Sequence, residues 1–534
     1  MNLTSRLAAA GVLGGATLAA PFLISAAASA QASPSYRIAG RVVNSETDEP
    51  VRRASVSILS QEQNSVVASV LTDADGNFSI PGLAAGKYPL TASRRGFRTA
   101  YYDEHDGFNT AIVTGPGQDT EHLVFRLAPG AVIYGTVTGD GGDPEQNANV
   151  VLFRRDPTAP SRPPKQAEGT STDDTGAYEF SGLASGDYFV AVGTQPWYAI
   201  RGTPDTAQTV ENNLDVAYPV TFFDSTTDEA SATALSMTAG SRVEANISLH
   251  AVPALRIRLT GPRRQDAGPG IELRQTVFGA DFPAQVDVQG SQNGPPEIVG
   301  LAPGHYELDT TNPPHAMELD ASSSMDVDPS SSAPSPAVEG TVRMADGSPP
   351  GEMSLLLARR DSGGSQLNAM LHRGKFRFEG VPPGVWMLSA ASVQGSISVA
   401  SITGSGAGPA NQITVRDQPL TIGVTLSRSQ TRVDGFARRD GKAAPGALIV
   451  LVPRDLAAYT ALVRLDQSDS DGSFSLPDVA PGRYTVVAIV DGWKLDRQDP
   501  SVIARYLPGG EPVTIGTQPS AVVQLPRPVE AVSR

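Results

Sequence analysis

Polar and apolar residues alternate along the chain in short runs separated by turn residues. Tyr36-Arg-Ile-Ala-Gly-Arg-Val-Val43 alternates and reads as an edge-forming first strand. Val56-Ser-Ile58 and Val66 to Leu71 follow as second and third strands. Phe78 and Ile80 sit at i and i+2, so both side chains leave the fourth strand on one face, towards a core. The strand after Tyr88 runs to Gly96-Phe97, an arm with Tyr101-Tyr-Asp103 comes next, and Ala111-Ile-Val-Thr114 and His122-Leu-Val-Phe-Arg-Leu127 complete the set. Seven or so short strands at this spacing predict a Greek-key sandwich.

The stretch that joins the fourth and fifth of these runs returns along the chain. Asp73-Ala-Asp-Gly-Asn-Phe-Ser-Ile-Pro-Gly-Leu-Ala-Ala-Gly-Lys-Tyr88 is followed by close copies at Asp173–Tyr188 and Asp469–Tyr484. A shorter copy runs from Arg373 to Trp386, and Ile298-Val-Gly-Leu-Ala-Pro-Gly-His-Tyr306 keeps only the second half. The closing aromatics Tyr88, Tyr188, Tyr306, Trp386 and Tyr484 are 100, 118, 80 and 98 residues apart. Periods of roughly 20–50 residues mark solenoids and propellers; periods near 100 mean whole domains in tandem. In each unit Asp bonds its own backbone two residues on, Gly takes the positive φ of the turn, and a second glycine pair brackets a tight bend.

The x-Gly-x-Val first strand, the Pro-x-x-x-Ala step and the Asp-x-x-Gly-x-Phe/Tyr…Gly-Leu-x-x-Gly-x-Tyr hairpin resemble the carboxypeptidase regulatory-like domain. The resemblance implies a transthyretin-like sandwich, related in shape to the B-type repeats of collagen adhesins and to starch-binding-like domains. It is strongest over repeats one, two and five, weaker over four and weakest over three. The expectation is an all-β chain, a tandem array of about five Greek-key β-sandwich (prealbumin/Ig-like) domains. Their expected ranges are 31–129, 130–251, 252–335 (a degenerate repeat whose Ser-rich 321–336 reads as a linker), 336–428 and 429–534.

Composition agrees with this and narrows the function classes. The chain has 534 residues, 53 Gly, 43 Pro and no Cys. Its net charge of −15, with the lysines few and scattered, removes a nucleic-acid footprint. Arg6 before an apolar stretch from Leu7 to Ile24, with Ala28-Ser-Ala30 ahead of Gln31, reads as a signal peptide over residues 1–30. The expected location is therefore exported: periplasmic, outer-surface or secreted, in a bacterial envelope. No later stretch reaches the roughly 20 apolar residues of a transmembrane helix. Without Cys, each domain depends on its core rather than on disulfides, and thiolate sites are excluded.

Candidate chemistry is sparse. His315-Ala-Met-Glu318 is the single His-x-x-Glu spacing, but a catalytic zinc needs three convergent protein ligands, and His315 falls where other repeats carry a strand-end aromatic. Gly404-Ser-Gly-Ala-Gly408 does not centre a serine in a nucleophile elbow. The pairs Asp73/Asp75 and Asp469/Asp471 could hold calcium, yet repeats two and four lack the same pair, so they read as plain Asx turns. No first strand carries the Lys that an isopeptide bond would need. What remains are aromatics nine residues after the hairpin aromatic: Phe97, Trp197 (followed by Tyr198) and Trp493. They read either as packing groups at sandwich ends and joints or as a glycan-stacking platform. The expected function is a non-enzymatic envelope scaffold or adhesion-type protein with no cofactor and no metal. The alternative is a carbohydrate-binding protein using Phe97, Trp197, Tyr198 and Trp493, and a remote one is a set of accessory domains of a peptidase system. Expected partners are a polysaccharide or an envelope protein, not nucleic acid.

Overall fold

The computed structural model describes residues 35–534 except 61–64, 202–213, 261–269, 290–294, 312–313, 333, 360–365, 393–396, 409–410, 429–430 and 517–521. The expected signal peptide over 1–30 lies outside the described residues. The described residues are nearly all β and form five sandwiches in succession.

In the first sandwich, Asn77–Leu83, Tyr36–Asn44 and Leu123–Leu127 form one sheet; Val66–Leu71, Ser55–Leu59, Leu90–Ser93 and Ala100–Tyr101 form the other. Tyr36–Asn44 runs antiparallel to the hairpin strand and parallel to Leu123–Leu127. Phe78 and Ile80 point inward, as the alternation predicts, against Ile38, Val56, Ile58, Leu90 and Phe125. Ala177–Leu183 repeats the same burial alternation in the second sandwich. The glycine of the first strand is required by its parallel neighbour: a Cβ on Gly40, Gly135 or Gly340 would lie 2.2, 2.2 or 2.0 Å from a carbonyl oxygen of the adjoining chain.

The signature turn is held by the same bonds in repeats one and two. Asp73 Oδ1 accepts from the N–H groups of Asp75 (2.9 Å) and Asn77 (2.8 Å), and Asp173 Oδ1 from those of Thr175 and Ala177 (2.9 Å each). A hydroxyl just before the acid does a second job. Thr72 Oγ1 donates to Val51 O and accepts from Ala54 N–H; Thr172 does so with Glu145 and Ala148, and Ser468 with Ala444 and Ala447. These three hydroxyls are buried and answered, which is the condition for keeping a polar group in a core.

The five closing aromatics also share one role. Tyr88, Tyr188, Tyr306 and Tyr484 donate their hydroxyls to the carbonyls of Ala84, Ala184, Ala302 and Ala480, at 3.2, 2.9, 2.8 and 2.8 Å. Trp386 does the same through Nε1 to Pro382 O at 2.9 Å. Each ring thereby pins the bend four residues before it.

Two expectations about the third repeat change. Its missing half-motif does not make it degenerate in structure: it has two four-stranded sheets, like the fourth. The Ser-rich 321–336 is not simply a linker either. Met325–Val327 pairs in parallel with Leu255–Leu259, and Ala321 and Val327 enter the core. Two apolar residues at i and i+2, Met325 and Val327, were enough to make an edge strand amid serines. In the fifth sandwich the last strand, Val529–Ser533, pairs in parallel with both Arg432–Arg439 and Gly482–Val490, so its two sheets join along one side.

Neighbouring sandwiches are joined differently. Gly130 N–H donates to Gly96 O, and Phe97 bridges Pro129, between the first and second. Between the second and third, Phe278 enters a cluster of Phe153, Phe189 and Phe222, with ring centres 5.2, 5.1 and 5.5 Å away. Arg359 Nη1 meets both carboxylate oxygens of Glu307 (2.9 and 3.1 Å) between the third and fourth.

Candidate interdomain site

The fifth sandwich folds back onto the first, some 360 residues earlier, and this contact carries the densest polar chemistry between distant parts of the chain. The arm of the first sandwich is tied down at both ends: Ala100–Tyr101 pairs with Leu90–Ser93, and Ile112–Thr114 with Gly86–Tyr88. Between them the chain turns through Asp103 and Asp106, both at positive φ. The opposing surface is the signature turn of the fifth repeat.

There Asp469 does not do what Asp73 and Asp173 do. Its Oδ2 accepts from Lys87 Nζ at 2.6 Å and its Oδ1 from Ala111 N–H at 3.0 Å, both in the first sandwich. Asp471 takes over the local bond to Ser473 N–H (2.9 Å). Ser470 joins through its Oγ, which accepts from Val113 N–H (2.8 Å), and its own N–H, which donates to Ala111 O. Gln467 Nε2 donates to Thr110 Oγ1 (2.8 Å) and to Asp103 O. Burial raises the Asp469 pKa, against the pull of Lys87 in the other direction. Burial likewise pushes Asp466, three residues earlier on the strand Arg464–Gln467, up to about 7.

Trp493 completes the joint. It is 8% exposed, its Nε1 donates to Gly446 O, and His105 stacks on it at 5.7 Å and 12° while Phe108 packs at 5.3 Å. The Arg497 guanidinium carbon lies 5.0 Å from the ring centre, and Arg497 also pairs with Asp106. The second sandwich contributes Arg162, whose Nη2 reaches Asp496 at 2.8 Å. These three sandwiches enclose a groove of about 1210 Å³, with Tyr101, Arg98 and Val124 from the first, Arg154 and Lys165 from the second, and Gln498 from the fifth among its lining.

The four aromatics singled out in the sequence are not brought together. Phe97 is half-buried against the first core, with Arg94 over its ring. Trp197 is 70% exposed and meets Tyr198 edge-on, and the Tyr198 hydroxyl donates to Asp140 Oδ2 at 2.8 Å. Trp493 is spent on the joint. The shared offset therefore yields three environments. His315, at the same offset, is a buried strand residue paired with Thr310. Among the described residues no three His, Cys, Asp or Glu side chains converge as metal ligands, and no helix is long and apolar enough to cross a membrane.

Sequence reasoning missed Lys87, Gln467, Asp469 and His105 as a group. One signal was present: the position two before the turn acid is Leu71 (62% exposed) in repeat one and Gln467 (1% exposed) in repeat five. A long amide replaces a surface residue where the repeat has gained a neighbour.

No curated protein matches the chain. Among solved structures it is similar to the Bacillus anthracis TIE protein (9% identity, covering 93% of this chain and 74% of that one, TM-score 0.17). Others are the Streptococcal ancillary pilin (11%, 55% and 98%, TM-score 0.20) and two B repeat units of the collagen binding protein of Staphylococcus aureus (10%, 86% and 94%, TM-score 0.14). At such scores the likeness carries no argument about this chain. The model of the carboxypeptidase regulatory-like domain matches residues 37–128, the span of the first sandwich.

Proposed function

We propose that the protein is a non-enzymatic, exported scaffold whose sandwiches are held in a folded-back arrangement to present a surface made by several of them. The observation that carries this reading is the docking of the fifth sandwich on the first. A flexible string of binding modules has no use for a partly buried ion pair, a buried amide and a buried tryptophan between its ends, because ordering those groups costs conformational entropy that only a fixed geometry repays. Interfaces between domains of one chain are by default modest and mobile; this one excludes water from Gln467 and most of Trp493.

Small-angle scattering of the full chain tests the arrangement. The compact profile is expected to expand in Asp469→Lys, which sets a second cation against Lys87; an extended wild-type profile, or no expansion in the variant, overturns the reading. Export is tested by fractionating producing cells and sequencing the N-terminus, with Gln31 expected first. Turnover of any peptide, ester or glycoside in a broad substrate panel would overturn the non-enzymatic assignment.

A further inference from the structure

We propose that two copies of the chain pair edge to edge through the first sandwich, along the strand Val66–Leu71. This strand is the outermost of its four-stranded sheet, at the opposite edge from Ala100–Tyr101, where the arm leaves. Val67 and Leu71 are 54% and 62% exposed, and Ser69 stands exposed between them, while Ala68 and Val70 pack on the core. An open edge of this kind, aliphatic and without a charge or a proline, is a template for another strand.

Three other sandwiches guard the equivalent edge. Lys165–Ser171 of the second carries Lys165 and Glu168, and Arg464–Gln467 of the fifth carries Arg464 and Asp466. In the fourth, Gln366–Met370 exposes Gln366 and Asn368. Charged and polar groups on an edge strand are the usual guard against pairing. The first sandwich lacks that guard, and its backbone is open. Thr72, just after the strand, turns both its groups inward: its N–H donates to Ala54 O (2.9 Å) and its O accepts from Arg53 N–H (3.0 Å). Backbone groups alternate in direction along a strand, so Ser69 and Leu71 send theirs out of the sheet edge. A bulge at Val67, which has no partner between Val66 and Ala68, ends the regular ladder there.

The occupant follows from the sequence of the edge. Val67-Ala-Ser-Val-Leu71 is symmetric in kind about Ser69, as a twofold contact requires. With the axis through Ser69, antiparallel pairing sets Ala68 of one copy opposite Val70 of the other and Leu71 opposite Val67, and the Ser69 N–H and O bond their counterparts. This register keeps the exposed aliphatics on one face, where each Leu71 covers a Val67; a slip by one residue would set them against the inward face. The Ser69 hydroxyl is drawn back along the sheet, accepting from Ser57 Oγ at 2.9 Å. Charge favours the same partner. Two copies of a chain of net charge −15 repel over most of their surface, and this uncharged strand is where they can approach. The contact is isologous, so it closes at two copies. It falls short of the roughly 1,200 Å² of a standard interface, so the pairing is weak and concentration-dependent.

Sedimentation equilibrium of the full chain between about 1 and about 500 μM tests the pairing. Monomer is expected at the low end, and a monomer–dimer equilibrium with no larger species at the high end. Ser69→Lys, which sets two cations on the axis, is expected to weaken association about tenfold or more. Its melting temperature is expected to stay close to that of the wild type, because the side chain stands outside the core. Ser171→Lys, the same change on the exposed edge of the second sandwich, is expected to leave association intact. The chain has no Cys, so Ser69→Cys carries a single thiol, and a short bis-maleimide is expected to join two copies through it and not through Ser171→Cys. A chain that stays monomeric throughout, growth beyond the dimer, undiminished association in Ser69→Lys, or equal cross-linking of the two cysteine variants overturns the proposal. Scattering of the dilute monomer reports the fold-back separately, so the pairing and the closed arrangement stand or fall independently.

Discussion

The turn at Asp173 and the turn at Asp469 have the same acid, the same glycine and the same hydroxyl before them, and they do different work. Gly176 and Gly472 both take positive φ, and a Cβ on either would lie 2.5 or 2.4 Å from the carbonyl of the first strand. Thr172 and Ser468 make equivalent buried bonds. Yet Asp173 spends its carboxylate on its own turn, while Asp469 sends its carboxylate to Lys87 and Ala111. The change is possible because the motif is redundant: Asp471 caps Ser473 N–H, and within the turn Asp469 keeps only a long bond from the Ser473 hydroxyl at 3.4 Å. A fold signature thus became an interface by moving one hydrogen bond along by two residues. The tryptophans after the hairpin divide in the same way, Trp197 standing in solvent and Trp493 sealing the joint.

The largest expected effect breaks that second half of the comparison. Trp493→Ala removes a buried ring with contacts to His105, Phe108 and Arg497, and is expected to cost about 4 kcal/mol. Trp197→Ala is expected to stay within about 0.5 kcal/mol, as exposed substitutions do. Differential scanning calorimetry, following the transition of the fifth sandwich, separates them; equal shifts would mean the joint contributes nothing. Next is Asp469→Ala, which strands a mostly buried Lys87 and an amide N–H and is expected to cost about 3 kcal/mol, with expansion in scattering. Asp173→Ala is expected to loosen one turn and leave the scattering profile unchanged. If it expands the chain as well, the two turns are not functionally distinct.

How much of this was legible in the sequence follows from which interactions are local. The hairpin, its turn and its inward Phe78 and Ile80 are fixed by residues within a few positions of one another, so periodicity and turn chemistry expose them. The tandem sandwich architecture follows from their recurrence. The strand at Met325–Val327 was hidden because its pairing partner, Leu255–Leu259, lies some 70 residues away and its neighbours are serines. The joint was hidden for a stronger reason. Lys87 and Asp469 each sit in a motif whose other copies have no such partner, so alignment of the repeats averages away the feature that distinguishes them. Trp493 could be singled out by type and offset, but whether it faces solvent or a neighbour depends on the path of the whole chain.

A third experiment tests the electrostatic cost of the fifth turn's position. Asp466, next to it, accepts from Gln467 N–H (2.8 Å) and Ser475 N–H (2.6 Å), but burial dominates and raises its pKa to about 7. Between the ordinary carboxylate range and about pH 7 the folded chain therefore keeps a proton that the unfolded chain has released. Stability contributed by this group is present at low pH and is lost as pH rises through about 7. Asp469 is raised in the same direction. The fifth sandwich is expected to lose about 2 kcal/mol from about pH 5 to about pH 8, and Asp466→Asn to flatten that slope whatever its effect on absolute stability. A slope unchanged in Asp466→Asn would place the titration elsewhere.

The smallest effect sharpens the comparison by testing what the copies share. If Asp173 and Asp469 differ only in outward partners, the bend that follows each of them should respond identically to loss of its own bond. Tyr188→Phe and Tyr484→Phe each delete a hydroxyl donating four residues back, to Ala184 O and Ala480 O, and keep the ring in the core. Each is expected to cost about 1 kcal/mol, the net worth of one neutral hydrogen bond. Neither should expand the scattering profile. Tyr88→Phe is expected to cost less, since its bond is longer at 3.2 Å and the ring is only half-buried. A cost in Tyr484→Phe well above that in Tyr188→Phe, accompanied by expansion, would mean that the fifth bend is itself part of the docking surface. The difference between the copies would then begin in the hairpin rather than in the carboxylate that points away from it.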